Sequence, residues 1–201
     1  MKILNNLSKY FAMVFAILVL GSGYTAFAQV EDYTKYQRMF NDGKDTQQHD
    51  VLTLLKGEEH FSTFVELLEK SGLDAAFEGM GPMTILAPTN EAFEGMSKAQ
   101  YDELTKEENK FKLNQILQAH ILPRKVYAED FRANQVVKGA DGQDLPVETE
   151  HDVVIPGEAA TVKIGGARIV RSNIEADNGL IHIMSSVIIP GESMAPPKTR
   201  N

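Results

Sequence analysis

Five histidines, His49, His60, His120, His151 and His182, are the side chains whose ordinary titration lies nearest neutrality. An imidazole can serve as a general base or as a metal ligand, but either role needs a partner at the right spacing. A helical zinc site places two histidines four residues apart, and a strand site uses an HxH pair. Neither spacing occurs here. The chain has 0 cysteines, which excludes disulfides, zinc–thiolate sites, iron–sulfur clusters and thiol nucleophiles. No GxSxG elbow, P-loop or GxGxxG is present, so acyl transfer, phosphoryl transfer and dinucleotide chemistry lack their usual local signatures. Glu58-Glu59 and Glu107-Glu108 read as solvated helix-start charges, not as the separated carboxylates of a glycosidase. Asp141-Gly142-Gln143-Asp144 reads as a hairpin turn, since the twelve-residue calcium-loop pattern is missing. The expectation is no catalytic residue, no cofactor and no metal.

Two histidines stand among apolar residues. His120 shares a helical face with Leu113, Ile116, Leu117 and Ile121. His182 lies in the run Leu180–Ile189, in which Leu180, His182 and Met184 alternate with Ile181 and Ile183. A half-buried ring there is expected to bond nearby backbone with its nitrogens, because an unpaired polar group is costly away from water.

The elements that position these residues follow an export signal. Lys2 and Lys9 precede the uncharged run Tyr10–Leu20. Gly21, Ser22 and Gly23 break that run, and Ala26-Phe27-Ala28 supplies the small residues of a cleavage site. Residues 1–28 read as a signal peptide, cut after Ala28, because the run is shorter than the roughly 20 residues of a membrane span. Residues 29–46 read as a flexible leader and 191–201 as a flexible tail. The 20 basic and 28 acidic residues give a net charge of −8. With no basic stripe, nucleic acid is not expected as a partner.

Between leader and tail the pattern is helical first and stranded later, which is an α+β order. Phe61, Phe64, Val65 and Leu68 form one helix face, stopped at Gly72. Asp74 caps a short turn through Phe77, ended by Gly79. Met83–Ala87 is a strand cut by Pro88. Ser97–Gln100 and Thr105–Glu108 match the capping-box pattern, and Pro123 ends the helix that carries His120. Strands are then expected at Val136-Val137, Val153–Ile155, Val162–Ile164, Arg168–Val170 and Leu180–Ile189. Turns are expected at 139–142, Pro156-Gly157 and Gly165-Gly166, and at Asn178-Gly179, both of which tolerate positive φ.

Three segments, in this order, resemble the fasciclin domain family. The first is Thr84-Ile85-Leu86-Ala87-Pro88-Thr89-Asn90-Glu91-Ala92-Phe93. The second is Ala119-His120-Ile121-Leu122-Pro123. The third is Asn178-Gly179-Leu180-Ile181-His182-Ile183 with Val187–Pro190. The likeness spans about residues 47–190. Ala119 departs from the family's frequent tyrosine, and Met184-Ser185-Ser186 replaces an acidic step. The resemblance implies an α+β fold, a wedge-shaped β-sandwich with helices packed along one side. It also implies a non-enzymatic adhesion module, periplasmic or secreted. Such a module binds an extracellular or cell-surface protein or polysaccharide and does not insert into the membrane after signal cleavage. Two other readings are an exported hydrolase, marked by a cleft with convergent carboxylates or a strongly shifted histidine, and a carrier of a small apolar ligand, marked by a closed apolar pocket.

Overall fold

The computed structural model describes residues 35–40, 45–77, 81–150 and 161–191. The signal peptide, His151, the Val153–Ile155 strand, the Pro156-Gly157 turn, the Gly79 stop and nearly all of the tail lie outside them. The chain divides into two compact units, Met1–Arg38 and Met39–Asn201. In the first, residues 35–38 form a helical turn. The second carries every motif residue.

It opens with helices. α1 (Val51–Lys56) starts at Asp50, whose carboxylate accepts from the Thr53 N–H at 2.8 Å. α2 (Ser62–Ser71) buries Phe64, Val65, Leu67 and Leu68, on the face that their spacing predicts. Gly72 ends it in the left-handed region (φ 78°), with the Leu73 N–H reaching back to the Leu68 carbonyl. α3 (Asp74–Phe77) contains Asp74 in its first turn. β1 (Met83–Pro88) leads into α4 (Asn90–Glu94), followed by α5 (Lys98–Thr105) and α6 (Lys110–Ala119).

Ser97 and Gln100 form a complete capping box on α5. The second expected box does not form. Thr105 lies at the end of α5, and its hydroxyl donates to the carbonyls of Tyr101 and Asp102. The next helical segment is a 3₁₀ turn at Glu107–Asn109, without a side-chain cap. α6 also stops sooner than Pro123. His120 is its C-cap, and Ile121-Leu122 already form strand β2.

The remaining strands are β3 (Val136–Lys138), β4 (Asp144–Glu150), β5 (Thr161–Ile164), β6 (Ala167–Ala176) and β7 (Gly179–Met184). They form one sheet in the order β2-β1-β7-β6-β5-β4-β3, with β1 and β7 parallel and every other pair antiparallel. β7 ends at Met184, short of the expected Ile189. The β5–β6 hairpin turns on Gly165 (φ 57°) and Gly166 (φ 81°), the pair of positive φ values that a tight hairpin needs.

One apolar cluster draws Leu122, Leu86, Met184, Ala167, Ile164, Leu145 and Val137 from all seven strands. A flat sheet could not bring its two edge strands into one cluster, so this sheet curls nearly closed. Just past β3, the Ala140 N–H donates to the Ile121 carbonyl of β2 at 2.8 Å and draws the edges together. Among the helices, α2 packs against α1, α3, α4 and α6. This is the α+β architecture that the sequence motifs imply.

Gly179 sits where β7 starts beside β1. Neither Asn178 nor Gly179 has positive φ, so the expected reason for this pair is incorrect. The reason is close approach: a Cβ on Gly179 would lie 2.5 Å from the Met83 carbonyl oxygen and 3.1 Å from Val51 Cγ2. Both neighbours belong to packed elements. Gly179→Ala is therefore expected to cost about 3 kcal/mol, the upper end of ordinary overpacking. Thermal unfolding at neutral pH measures it, and an unchanged midpoint would contradict the close-approach argument.

Candidate functional site

The three motifs meet at the β2-β1-β7 end of the sheet. β1 and β7 run in parallel register, pairing Met83 with Gly179, Ile85 with Ile181, Leu86 with His182 and Ala87 with Ile183. The middle motif joins from the other side. β2 pairs with β1 through Thr84–Leu122 and Ile85–Ile121, and the Leu86 N–H donates to the His120 carbonyl at 2.8 Å. Ala87 and Ile181 are wholly buried. Pro123 is exposed at the turn after β2, where the Arg124 N–H bonds the Leu122 carbonyl.

The polar side chains of the motifs are engaged within the fold. Thr84 is inaccessible to solvent; its hydroxyl donates to the Arg124 carbonyl at 2.8 Å and accepts from the Val126 N–H at 2.9 Å. It thereby holds the chain leaving β2 against β1. Pro88 closes β1, and Thr89 caps α4 by accepting from the Ala92 N–H at 3.4 Å. This helix start carries Phe93 into the interior, edge-on to Tyr101 at 6.5 Å. Asn90 spans two elements: it accepts from the Thr63 N–H at 3.0 Å and donates to the Glu59 carbonyl at 2.9 Å. Asn178 accepts from the Val51 N–H at 2.9 Å, satisfying an orphan donor at the start of α1.

Thr84→Val keeps the shape and removes both hydroxyl bonds. Leaving the buried Val126 N–H and the part-buried Arg124 carbonyl without this partner is expected to cost about 1–3 kcal/mol, whereas Thr84→Ser keeps the bonds and most of the stability. Urea titration of the two variants separates the hydrogen bonds from the packing.

His120 and His182 are fully buried, which corrects the half-buried expectation. His120 Nδ1 lies 2.8 Å from the Ile116 carbonyl, and Nε2 accepts from the Ile188 N–H at 3.0 Å. These partners require the proton on Nδ1. His182 has the opposite tautomer: Nδ1 accepts from the Asn173 N–H at 3.0 Å, and Nε2 donates to the Val126 carbonyl at 2.8 Å. Phe64 packs on the ring of His120 at 5.8 Å and Phe131 on that of His182 at 6.0 Å. Burial pushes both imidazoles down to about 4, the carbonyl bonds offsetting only part of that shift. At neutral pH each ring is uncharged and has both nitrogens occupied, so neither is available to take a proton from a substrate.

Asn173 was not singled out from the sequence. It occupies the left-handed region (φ 59°) within an irregular stretch of β6. Besides bonding His182, it accepts from the Ala128 N–H at 2.9 Å and donates to Glu129 at 2.8 Å. The available signal was an asparagine inside a strand pattern, since Asn tolerates this backbone region better than most residues.

No group of three or more His, Asp or Glu residues able to hold a metal occurs among the described residues. An open depression of about 350 Å³ is lined by Gly81, Pro82, Lys125, Asp177 and Asn178. It is open to solvent and lined by polar and apolar surface in nearly equal parts. Among the described residues, the exposed large apolar side chains are Phe111, 77% exposed, and Val136, 52% exposed. None of the described helices is long and apolar enough to cross a membrane.

Comparison with known proteins matches residues 59–190 to the fasciclin domain model. Protein sll1483 of Synechocystis is 30% identical over 171 residues, covering 85% of this chain and 89% of that protein. Human periostin is 26% identical over 69% of this chain, which spans only 16% of periostin's length. A FAS1 domain pair from the insect cell adhesion molecule fasciclin I has a TM-score of 0.53 at 22% identity. That match covers 66% of this chain and 46% of the other.

Proposed function

Because this chain belongs to the fasciclin domain family, we propose that it is an exported, non-enzymatic interaction module. Its partner is an extracellular or cell-surface protein or polysaccharide, met in the periplasm or outside the cell. In this reading residues 1–28 are removed as a signal peptide, a leader follows from residue 29, the binding domain reaches to 190 with Met39 and Phe40 already packed into it, and 191–201 form the tail.

The observation that carries this reading is the internal use of the motif side chains. Thr84, Thr89, Asn90, His120, Asn178 and His182 each bond backbone within the fold. They stabilise a platform, and contact with a partner falls to its surface. A hydrolase would use a polar group aimed at solvent with a shifted pKa, whereas the strongly shifted imidazoles here are sealed inside. A carrier is marked by a closed apolar pocket, and the depression beside Asp177 is open to solvent.

The test is an array of matrix proteins and polysaccharides probed with the exported form, alongside a panel of hydrolase substrates. Saturable binding with no turnover is expected. Product release without binding to any arrayed partner would overturn the reading. The intact mass of the exported form is expected to correspond to a chain starting at Gln29, and an uncleaved membrane-held chain as the main species would refute export.

A further inference from the structure

The segment that follows β7 covers the interior without joining the sheet. Ser185–Pro190 lies beyond Met184 and belongs to none of the strands. Ile188 is fully buried in the apolar cluster that contains Leu145 and Ile164. Its Cγ2 sits over Gly165, where a Cβ would stand only 2.8 Å away. Among the described residues, backbone N–H groups of this strap reach the body at two points. The Ser185 N–H donates to the Arg168 carbonyl at 2.9 Å, and the Ile188 N–H donates to His120 Nε2 at 3.0 Å.

The second tie uses a nitrogen that can take a proton. Nδ1 of the same ring donates to the Ile116 carbonyl, so Nε2 carries the lone pair. A proton on Nε2 turns the acceptor into a donor and sets N–H against N–H. Burial lowers the titration of this ring and the Ile116 carbonyl restores part of it, with no contribution from an ionised side chain. α2 faces the ring with Phe64, while its Glu66, Glu69 and Lys70 are exposed. The strap and β1 contain no titratable residue. In the loop that bonds the end of α6, Asp141 accepts from the Gln143 N–H at 3.1 Å.

His182 has the same chemistry in a different setting, because its Nδ1 accepts from the Asn173 N–H. Asn173 cannot withdraw alone. β6 pairs with β7 on both sides of it, at Arg171–Ile183 and Ile174–Ile181, and its side chain bonds Ala128 and Glu129. No strand pairing secures Ile188 in this way.

We propose that Ser185–Pro190 is an acid-released strap: a proton on His120 Nε2 frees Ile188 from its seat over Gly165, while the sheet and the His182 contacts stay in place. The proton comes from solvent, and no covalent bond other than the new N–H changes. Release lets the ring reach water, so the open form binds the proton more tightly than the closed form, and acid shifts the population toward it. The step is local and precedes unfolding.

Native-state hydrogen exchange of the exported form, read by NMR and corrected for the intrinsic pH dependence, tests this. Between pH 7 and 5 the protection of the Ile188 amide is expected to fall about tenfold. At pH 5 that protection should be insensitive to low urea, the mark of a local opening, whereas protection of the Asn173 and Ile181 amides should fall with urea. A pH-independent Ile188 amide overturns the proposal. So does an Ile188 amide with the same urea dependence as Ile181, since it would then exchange only by unfolding. His120→Gln can keep both bonds without a titrating ring and is expected to abolish the pH dependence at Ile188. A tenfold fall that persists in this folded variant would equally overturn the strap. Should the variant fail to fold, the urea dependence of the wild-type protein decides alone.

Discussion

Lowering the pH from 6.5 to 4 is expected to remove about 5 kcal/mol of stability through His120 and His182. Burial lowers both rings from 6.5 to about 4 in the folded protein. In the unfolded chain they titrate near 6.5, so between these values the unfolded state binds more protons and stability falls with acid. The stabilisation is complete from about one pH unit above 6.5, and from about one unit below 4 these two groups contribute no further slope. Each contributes on the order of 3 kcal/mol across the window. For a domain of this size the melting temperature is expected to drop by about 10–20 °C.

The local chemistry gives the same direction. A proton on His120 Nε2 would face the Ile188 N–H, and one on His182 Nδ1 would face the Asn173 N–H. Carboxylates act lower on the scale. Glu103 is held down by its bond to Lys106, and Glu129 by a backbone N–H and by Asn173. Both are exposed and lose their contributions as pH falls through their depressed values. Calorimetry from pH 7 to 3 measures the curve. A flat midpoint between 6.5 and 4.5 would mean that the rings are not sealed from water.

His182→Ala is expected to cost about 4 kcal/mol at neutral pH. It leaves the Asn173 N–H and the Val126 carbonyl without their partner and opens a void beneath Phe131. The variant is also expected to lose one histidine's share of the acid sensitivity, which a generic packing defect would not change. His182→Gln, able to remake one of the two bonds, should recover part of the loss. Binding to a partner should fall only in proportion to the folded fraction. Binding abolished in a fully folded variant would instead assign His182 to the recognition surface.

Local features were legible in the sequence where a few neighbouring residues decide the outcome. The α2 face, the Gly72 stop, the Ser97 capping box and the Gly165-Gly166 hairpin depend on contacts within about one turn of chain. Local pattern alone failed at Thr105, whose hydroxyl turned back to the carbonyls of its own helix. It also failed at β4, where Pro146 argues against a strand. There the Pro146 carbonyl accepts from the Gly165 N–H just past the end of β5, and the strand continues despite the missing N–H. β2, only two residues long, offers no period to detect.

The sequence by itself determined that the chain carries fasciclin motifs, that helices precede strands, and that His120 and His182 occupy apolar stretches. Only the tertiary structure decided what those motifs hold. Val126 lies 56 residues from His182, and Ile188 lies 68 from His120. Gly179 must be glycine because the Met83 carbonyl passes beside it, and Phe40 is buried where Glu58 accepts from its N–H and Arg171 donates to the preceding Met39 carbonyl. A side chain's hydrogen-bonding capacity is a property of its type, but its partners depend on which distant backbone groups the packed core leaves unpaired.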